Sequence, residues 1–240
     1  MTNDEFTVLH GVQKRAFSAI LYGNAGIGKT TLAARAPAPI LIDIEGGCAR
    51  VDVDKTPTLG TWPDVRKWMK HLHGNIGNYK TVIFDTIDVL ETYMHDHICK
   101  TEGKASIEKF GYGAGYKMAV DLWRLLTRFQ REMNDKGVNV ILIAHEQIKH
   151  IDPPTSEGFD RYQIKINHNS ANLLVGAVDA VLFAHWDTIV KDTDRDNVKR
   201  AIGTGKRLLA CVETPAITAK NRYDLKPIEK MEASIWERLS

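Results

Sequence analysis

The hydrophobic residues of this chain fall into two patterns that alternate along its length. Short runs of apolar, often β-branched residues recur, each bounded by charged residues, glycine or proline. Between them lie longer stretches whose apolar residues are spaced three or four positions apart. Buried strands of a parallel sheet produce the first pattern, and amphipathic helices that cover such a sheet produce the second. The chain is therefore predicted to be an α/β protein with a mostly parallel central sheet flanked by helices, ending in antiparallel strands.

The two patterns place the individual elements. Continuous apolar runs predict strands at 19–22, 40–44, 81–85, 138–145, 178–184, 187–190 and 207–212. Helical spacing predicts helices at 31–36, 61–73, 89–100, 118–134 and 228–239. Residues 103–116 are loop-like and residues 147–170 show no periodic pattern, so we expect long surface loops in both places. A loop as long as 147–170 inside a compact domain more often carries function than not. The segment from Asp192 to Asn197 is expected to be a solvated turn.

Composition narrows the class of protein. A chain of 240 residues with 43% hydrophobic residues fits one domain, with a polar lead at 1–16 and a docking helix at 226–240. The net charge of +2 does not by itself indicate a nucleic-acid partner, so any binding to nucleic acid must come from a local cluster of basic residues. Three scattered cysteines without a CxxC pair fit a reducing compartment. With no run of membrane-spanning length and no signal peptide, we expect a soluble, cytoplasmic protein.

A glycine-rich segment joins the first strand to the first helix. Residues 23–30 read Gly-Asn-Ala-Gly-Ile-Gly-Lys-Thr and match the P-loop pattern. Glycines let backbone N–H groups curl around phosphate oxygens, while the lysine reaches the β/γ-phosphates and the threonine ligates Mg²⁺. The alternative is a tight turn without a ligand. We predict a nucleotide-phosphate site made of Gly23, Asn24, Ala25, Gly26, Ile27, Gly28, Lys29, Thr30 and Thr31.

Three other strands end in polar residues. Glu45 follows the second strand, Asp85 ends the third, and His145 ends the fourth. Because parallel strands meet at one edge of a sheet, these side chains should gather around the phosphates. A carboxylate in the position of Asp85 holds the Mg²⁺ water shell in phosphoryl-transfer proteins, so Thr30 and Asp85 are the predicted metal ligands. An ordinary helix-capping aspartate is the alternative for Asp85.

Two segments could contact an extended polymer. Residues 111–116 combine glycines with Tyr112 and Tyr116, and bases stack on such rings while glycines let the loop adapt. A glycine-rich entry to the next helix is the equally weighted alternative. The second segment, 147–170, carries the basic residues Lys149, Arg161 and Lys165 and is predicted to face a ligand, with a disordered insertion as the alternative.

The order of these motifs resembles the RecA-type recombinase ATPase core. More narrowly, the chain resembles small phage-encoded RecA-like proteins that assist single-strand annealing, which share the pattern Gly-Tyr-Gly-x-Gly-Tyr and a late Lys-Asn-Arg-Tyr, here residues 111–116 and 220–223. The resemblance spans most of 17–225. It implies an ATP hydrolase that uses Mg²⁺ and has a RecA-like fold.

The resemblance also implies roles for single residues. Glu45 would orient the attacking water, Asp85 would be the acid of the second motif, and His145 would stand where RecA has a glutamine that senses the γ-phosphate. Lys220 and Arg222 match a pair of lysines that RecA inserts into the site of the neighbouring subunit. A homo-oligomer, ring or filament, with ATP at protomer interfaces is thereby implied.

Departures from the RecA pattern shape the functional hypothesis. The N-terminal assembly helix and C-terminal domain of full-length RecA have no counterpart here, and a histidine replaces the sensor glutamine. We therefore expect an Mg²⁺-dependent ATPase that binds single-stranded DNA through 103–116 and 147–170 and promotes phage recombination by annealing, with a single-strand binding protein as a candidate partner. The alternative is a P-loop regulator or loader acting on a protein partner such as a helicase or packaging component. A small-molecule kinase lacks support, because neither a lid nor an acceptor signature is visible.

Overall fold

A computed structural model of the protein describes residues 8, 10–155, 157–192 and 199–239. Half of the lead at 1–16, namely residues 1–7 and 9, and the part of the predicted turn beyond Asp192 lie outside these residues. The strands are β1 Ser18–Gly23, β2 Pro39–Asp43, β3 Asp54–Lys55, β4 Thr81–Asp85, β5 Asn139–Ile151, β6 Phe159–Ile164, β7 Ala180–Asp192, β8 Lys199–Ala210, β9 Lys220–Asn221 and β10 Ile228–Lys230. The helices are α1 Lys29–Ala33, α2 Trp62–Gly74, α3 Ile87–Glu102, α4 Ala114–Asp135 and α5 His168–Ala177.

One sheet organises these elements. Its strand order is β10-β8-β7-β1-β5-β4-β2-β3, and β6 and β9 pair with β5 and β7. The strands from β7 to β3 are parallel, whereas β8 is antiparallel to both of its neighbours, β7 and β10. The predicted α/β class, with a mostly parallel sheet and C-terminal antiparallel strands, is confirmed.

The two faces of the sheet bury separate apolar clusters. Ile20 and Tyr22 of β1 pack with α2, α3 and α4, whereas Ala19 and Leu21 pack with α1 and the C-terminal segment. Side chains alternate along a strand, so a strand covered on both faces must be apolar at every position. This explains why the parallel strands were visible as continuous runs. Among the described helices, none is both long and apolar enough to cross a bilayer.

The predicted loop at 147–170 is wrong in its structure. Strand β5 continues to Ile151 and forms an antiparallel hairpin with β6, after which α5 begins at His168. The hairpin leaves the main sheet, and much of it is exposed, including Ile148 and Lys149. A strand with both faces near solvent needs no alternation of polar and apolar residues, so the sequence carries no period there.

The predicted loop at 103–116 is shorter than expected. Two 3₁₀ turns occupy Ile107–Lys109 and Gly111–Gly113, and α4 starts at Ala114, four residues before the predicted helix. The turn at Gly113 has a positive φ of 68°, which suits glycine as the residue that begins α4. Tyr116 therefore lies in the first turn of a helix, and Tyr112 alone of the two tyrosines belongs to the connection.

The C-terminal segment docks on the domain, but it is not the predicted helix. Ile228–Lys230 form strand β10 beside β8, and two 3₁₀ turns follow at Ala233–Ile235 and Glu237–Leu239. Trp236 is buried, stacks on Phe17 at 5.7 Å and donates from its Nε1 to the Leu32 carbonyl at 2.9 Å. Its ring thus supports the helix that follows the glycine-rich segment.

We predict that Trp236→Ala lowers the free energy of unfolding by about 3–5 kcal/mol, because it removes a fully buried indole. Trp236→Phe keeps a stacking ring and loses only the hydrogen bond, so the free energy of unfolding should fall by less than in Trp236→Ala. Urea titration followed by circular dichroism measures both, with the half-buried Trp68→Ala as a control. Equal stability of Trp236→Ala and the wild type would contradict the docking role.

Candidate functional site

The glycine-rich segment turns sharply at the carboxyl end of β1. Gly23 has φ of 153°, and a Cβ at this position would lie 2.2 Å from the Ala184 carbonyl oxygen of β7. Gly28 has φ of 100° and is the N-cap of α1. Both positions therefore exclude other residues, by close approach in the first case and by backbone conformation in the second. The first N–H groups of a helix have no partner in a preceding turn, so the N-terminus of α1 at this loop is where phosphate oxygens would accept hydrogen bonds.

Lys29 folds back over this loop. Its Nζ donates to the carbonyls of Gly23 and Asn24, both at 2.9 Å. Burial lowers the pKa of the ammonium, and the nearby carboxylates of Asp85, Asp88 and Glu45 oppose that shift. The Lys29 ammonium now donates to two neutral carbonyls. A bound phosphate could replace these acceptors, and its anionic oxygens would form stronger, charge-assisted hydrogen bonds with the ammonium.

Thr30 and Asp85 lie together on the other side of the loop. The Thr30 hydroxyl donates to Asp85 Oδ2 at 2.7 Å, and the Cys48 thiol donates to the same oxygen at 3.2 Å. Burial raises the pKa of Asp85, while these two hydrogen bonds oppose the rise. A hydroxyl and a carboxylate in contact are the hard oxygen donors that Mg²⁺ takes beside substrate phosphates. Thr30 and Asp85 would hold the ion, which when bound would neutralise charge on the phosphates.

Glu45 lies on the turn that follows β2, and main-chain contacts fix that turn to β4. The N–H groups of Ile44 and Glu45 donate to the Asp85 carbonyl at 2.8 and 3.0 Å. Asp43 accepts from the Gly46 N–H at 2.8 Å and thereby closes the turn. The Glu45 carboxylate is 40% exposed and approaches His145 Nε2 to 4.0 Å. The structure thus brings Glu45 to the same edge as Asp85 and Lys29; its role with water stays a prediction.

His145 is held by Asp88, a residue that the sequence did not single out. The Asp88 carboxylate accepts from the His145 backbone N–H at 3.0 Å and contacts its Nδ1 at 2.9 Å. Asp88 lies in the first turn of α3, three residues after Asp85, where an acidic residue ordinarily serves the helix dipole. From the sequence, the helix dipole alone accounts for an acidic residue at position 88. The contact with His145, 57 positions away in the chain, is visible only in the structure.

A second residue missed from the sequence is Arg207. It lies in β8, and its Nη1 donates to the carbonyl of Ile27 at 3.1 Å. The same nitrogen would lie 2.5 Å from a Cβ at position 28, so the guanidinium packs directly against the glycine-rich loop. Arg207 and Ile27 are 180 positions apart, so no local pattern could reveal this contact.

Lys220 and Arg222 lie at the opposite edge of the sheet. Lys220 Nζ donates to the carbonyls of Val175 and Val178, both at 2.7 Å, at the C-terminus of α5. Arg222 Nη1 pairs at 3.2 Å with Asp179, beside the amino end of β7. The P-loop follows the carboxyl end of the parallel β1, so neither side chain serves the phosphate site of its own chain. Their action in a neighbouring subunit stays a prediction.

The two tyrosines differ in their surroundings. Tyr112 is fully exposed and has a positive φ of 53°. Tyr116 is partly buried, its hydroxyl donates to Glu108 at 3.4 Å, and its ring meets His95 edge-on at 5.6 Å. Tyr112 is therefore free to stack on a ligand, whereas Tyr116 would first have to leave its contacts.

The three basic residues of the second predicted segment differ in their exposure to solvent. Lys149 and Lys165 are exposed, and Lys149 lies opposite Arg161 in the β5–β6 hairpin. Arg161 forms an ion pair with Glu213 and is mostly buried. Of the three, the exposed lysines are the ones available to an anionic ligand, Lys149 on the hairpin and Lys165 directly after β6.

Comparison with known proteins supports this nucleotide site. Residues 15–223 match the family model described as AAA domain. The chain belongs to the AAA domain family. This AAA domain is 24% identical over 131 residues to the SPbeta prophage-derived uncharacterized protein YorG of Bacillus subtilis strain 168, and the match covers 52% of this chain and 39% of that protein. The crystal structure of a KaiC-like protein from Pyrococcus horikoshii OT3 aligns at 10% identity with a TM-score of 0.39, covering 81% of this chain and 85% of that one. A P-loop of this family supports nucleotide binding and ATP hydrolysis.

Two substitutions should separate ATP binding from turnover. Lys29→Ala removes the buried cation of the loop and should weaken ATP affinity about 10- to 100-fold. Glu45→Gln keeps the shape of the site and should retain ATP affinity while turnover falls about 100-fold or more. Calorimetric titration with ATP and a phosphate-release assay measure the two effects, with the exposed Lys70→Ala as a control. A Glu45→Gln protein with wild-type turnover would remove Glu45 from the reaction.

Proposed function

We propose that this AAA domain is an Mg²⁺-dependent ATPase that binds single-stranded DNA and promotes phage DNA recombination by single-strand annealing. The observation that supports the ATPase best is the gathering of Lys29, Asp85 and Glu45 at one sheet edge. Phosphoryl transfer needs positive charge on the γ-phosphate and a positioned water, and this edge offers both. The prophage origin of the relative YorG supports a phage setting.

Single-stranded DNA would bind through the α3–α4 connection and the segment 147–170. The exposed ring of Tyr112 offers a stacking surface, and the exposed Lys149 and Lys165 offer charge to the phosphate backbone. The net charge of the chain is only +2, so these local groups, and not bulk attraction, would give the affinity.

The decisive experiment measures ATP turnover with and without oligothymidylate at low salt, where backbone binding is strongest. We expect the oligonucleotide to bind and to raise turnover. Tyr112→Ala should weaken oligonucleotide affinity about fivefold or more by removing a stacking ring, and leave ATP affinity unchanged. The half-buried Tyr79→Ala, whose hydroxyl donates to Asp54 at the far end of the sheet, serves as the tyrosine control. A protein that hydrolyses ATP yet neither binds nor responds to DNA would contradict the DNA assignment.

A second candidate is a P-loop regulator or loader that acts on a protein partner such as a helicase or packaging component. The exposed Ile148 on the hairpin, together with Tyr112, favours it, because apolar side chains at a protein surface suit a protein contact. In that case Tyr112→Ala would disrupt capture of the partner and leave DNA binding untouched.

We further propose that the protein assembles head to tail, so that Arg222 of one subunit serves the phosphate site of the next. Its position at the edge opposite the P-loop supports this arrangement, since it is too far to act within its own chain. Asp179 keeps Arg15 as a partner at 2.9 Å, so Arg222→Ala should still fold.

Mixing two inactive proteins tests the assembly. Arg222→Ala retains an intact loop and Lys29→Ala retains an intact Arg222, so mixed oligomers should recover part of the ATP turnover. The control mixes Arg222→Ala with the Lys29→Ala/Arg222→Ala double variant, which should recover nothing. Phosphate release and a sizing column with a non-hydrolysable ATP analogue provide the readouts. No recovery in oligomers that contain both single variants would place Arg222 outside the neighbouring site.

A further inference from the structure

We infer that His145 and Glu45 hold the attacking water between them, and that Asp88 is the positioning residue that makes His145 able to do so. The inference rests on the proposed ATP hydrolysis and adds two roles to it. His145 acts as an acceptor for one hydrogen of the water, and Asp88 fixes the hydrogen of the imidazole on the far nitrogen.

The first step of the argument is the double contact of Asp88. One carboxylate oxygen accepts from the His145 backbone N–H at 3.0 Å, and the other lies 2.9 Å from Nδ1. A carboxylate can only accept, so in the neutral ring the hydrogen must be on Nδ1. The Asp88 side chain is only 9% exposed, so little water competes for this contact. The opposite nitrogen, Nε2, is then left with a lone pair.

The second step is what Nε2 faces. Glu45 Oε1 lies 4.0 Å away, too far for a direct hydrogen bond, and both atoms are acceptors. Two acceptors at this separation suit one water that donates a hydrogen to each. Hydrogen bonds of about 2.8 Å made at the angle of a water molecule span ~4.5 Å, half an ångström more than the observed gap. A slight opening of this pair would seat the water.

The third step is the direction of that water. With both hydrogens donated to protein acceptors, its remaining lone pairs point away from Glu45 and His145. His145 is the partner of Gly23 in the β1–β5 register, so its main chain lies beside the phosphate loop. A nucleophile oriented in this way and placed at this edge matches what in-line attack on a γ-phosphate requires.

The reaction can then be written in full. The water oxygen forms a bond to the γ-phosphorus, and the bond between that phosphorus and the bridging β–γ oxygen breaks, its electron pair leaving with ADP. One proton of the water passes to the Glu45 carboxylate, and the other stays on the oxygen that becomes part of inorganic phosphate. His145 accepts a hydrogen bond throughout and takes no proton.

Asp88→Asn tests the tautomer without changing the shape of the clamp. The amide oxygen can still accept from the His145 backbone N–H, but the amide nitrogen then donates to Nδ1 and moves the ring hydrogen to Nε2. Nitrogen-15 spectra of histidine-labelled protein distinguish the two tautomers, and His145→Gln identifies the signal among the nine histidines. We expect the Nδ1–H form in the wild type and the Nε2–H form in Asp88→Asn.

Asp88→Asn should also lower the rate of ATP turnover while the affinity for ATP is retained. We expect kcat for ATP to fall about 100-fold in Asp88→Asn, because the ring hydrogen then points at the water. ATP affinity should stay within about twofold of the wild type, because the amide keeps the shape of the site and Lys29 remains near Asp85 and Glu45. Asp96→Asn is the matched control, an exposed acid on the same helix, and should behave as the wild type. At position 145 itself, glutamine offers an acceptor and leucine does not, so His145→Gln should keep more turnover than His145→Leu.

Each outcome decides a separate point. An Nε2–H tautomer in the wild type, or wild-type kcat in either Asp88→Asn or His145→Leu, overturns the inference while leaving the ATPase intact. A wild-type protein that binds ATP and never hydrolyses it overturns the proposed function, and the water-holding role with it. Lost ATP affinity in Asp88→Asn would reduce Asp88 to a structural acid of α3 and also overturns the inference.

Discussion

The register of the parallel sheet is the constraint on which the site depends. Asp43 lies opposite Asp85, Asp85 opposite Ile143, and Gly23 opposite His145, so the carboxyl ends of β2, β4 and β1 come within two residues of one level, beside His145 of β5. Main-chain hydrogen bonds between the strands fix which residues lie opposite one another. Because side chains alternate between the two faces of a strand, a shift of the register by one residue would move every side chain of that strand to the other face of the sheet. The close approach of Gly23 to Ala184 fixes β7 beside β1 at the level of His145. The phosphate site is therefore a consequence of strand pairing and not of loop conformation alone.

Burial sets the chemistry of the charged groups at that edge. Desolvation lowers the pKa of Lys29 and raises that of Asp85, so each is less stable as an ion here than in water. Both are satisfied by groups of the chain itself, two carbonyls for the lysine and a hydroxyl and a thiol for the aspartate. These neutral partners give weaker bonds than phosphate or a cation would. In the free protein the ionised forms of Lys29 and Asp85 are therefore only partly stabilised, and a bound nucleotide with its cation would stabilise both further.

The sequence predicted the parts of the fold that are buried on both sides. Strand β4 and helix α2 were predicted almost to the residue, because apolar runs and helical spacing are direct consequences of burial. The hairpin of β5 and β6 was missed because neither face is consistently covered. The C-terminal segment mimicked a helix because Met231, Ile235 and Trp236 share its spacing, although tertiary contacts with Phe17 and Leu32 fix it as 3₁₀ turns. Asp88 and Arg207 were missed because their partners are distant in the chain.

Strand β5 links the phosphate site to the exposed hairpin without interruption. Its pairing changes within one residue, since His145 is the last partner of β1 and Glu146 the first partner of β6. The Lys165 N–H also donates to the His145 carbonyl at 3.0 Å, so β6 is tied to the same residue by its far end. Asp88 holds both the backbone N–H and the imidazole of His145, so a movement of either would also reach Asp88. This continuous strand with its second tie at Lys165 gives a physical route by which a change at His145 would reach the main chain of the hairpin.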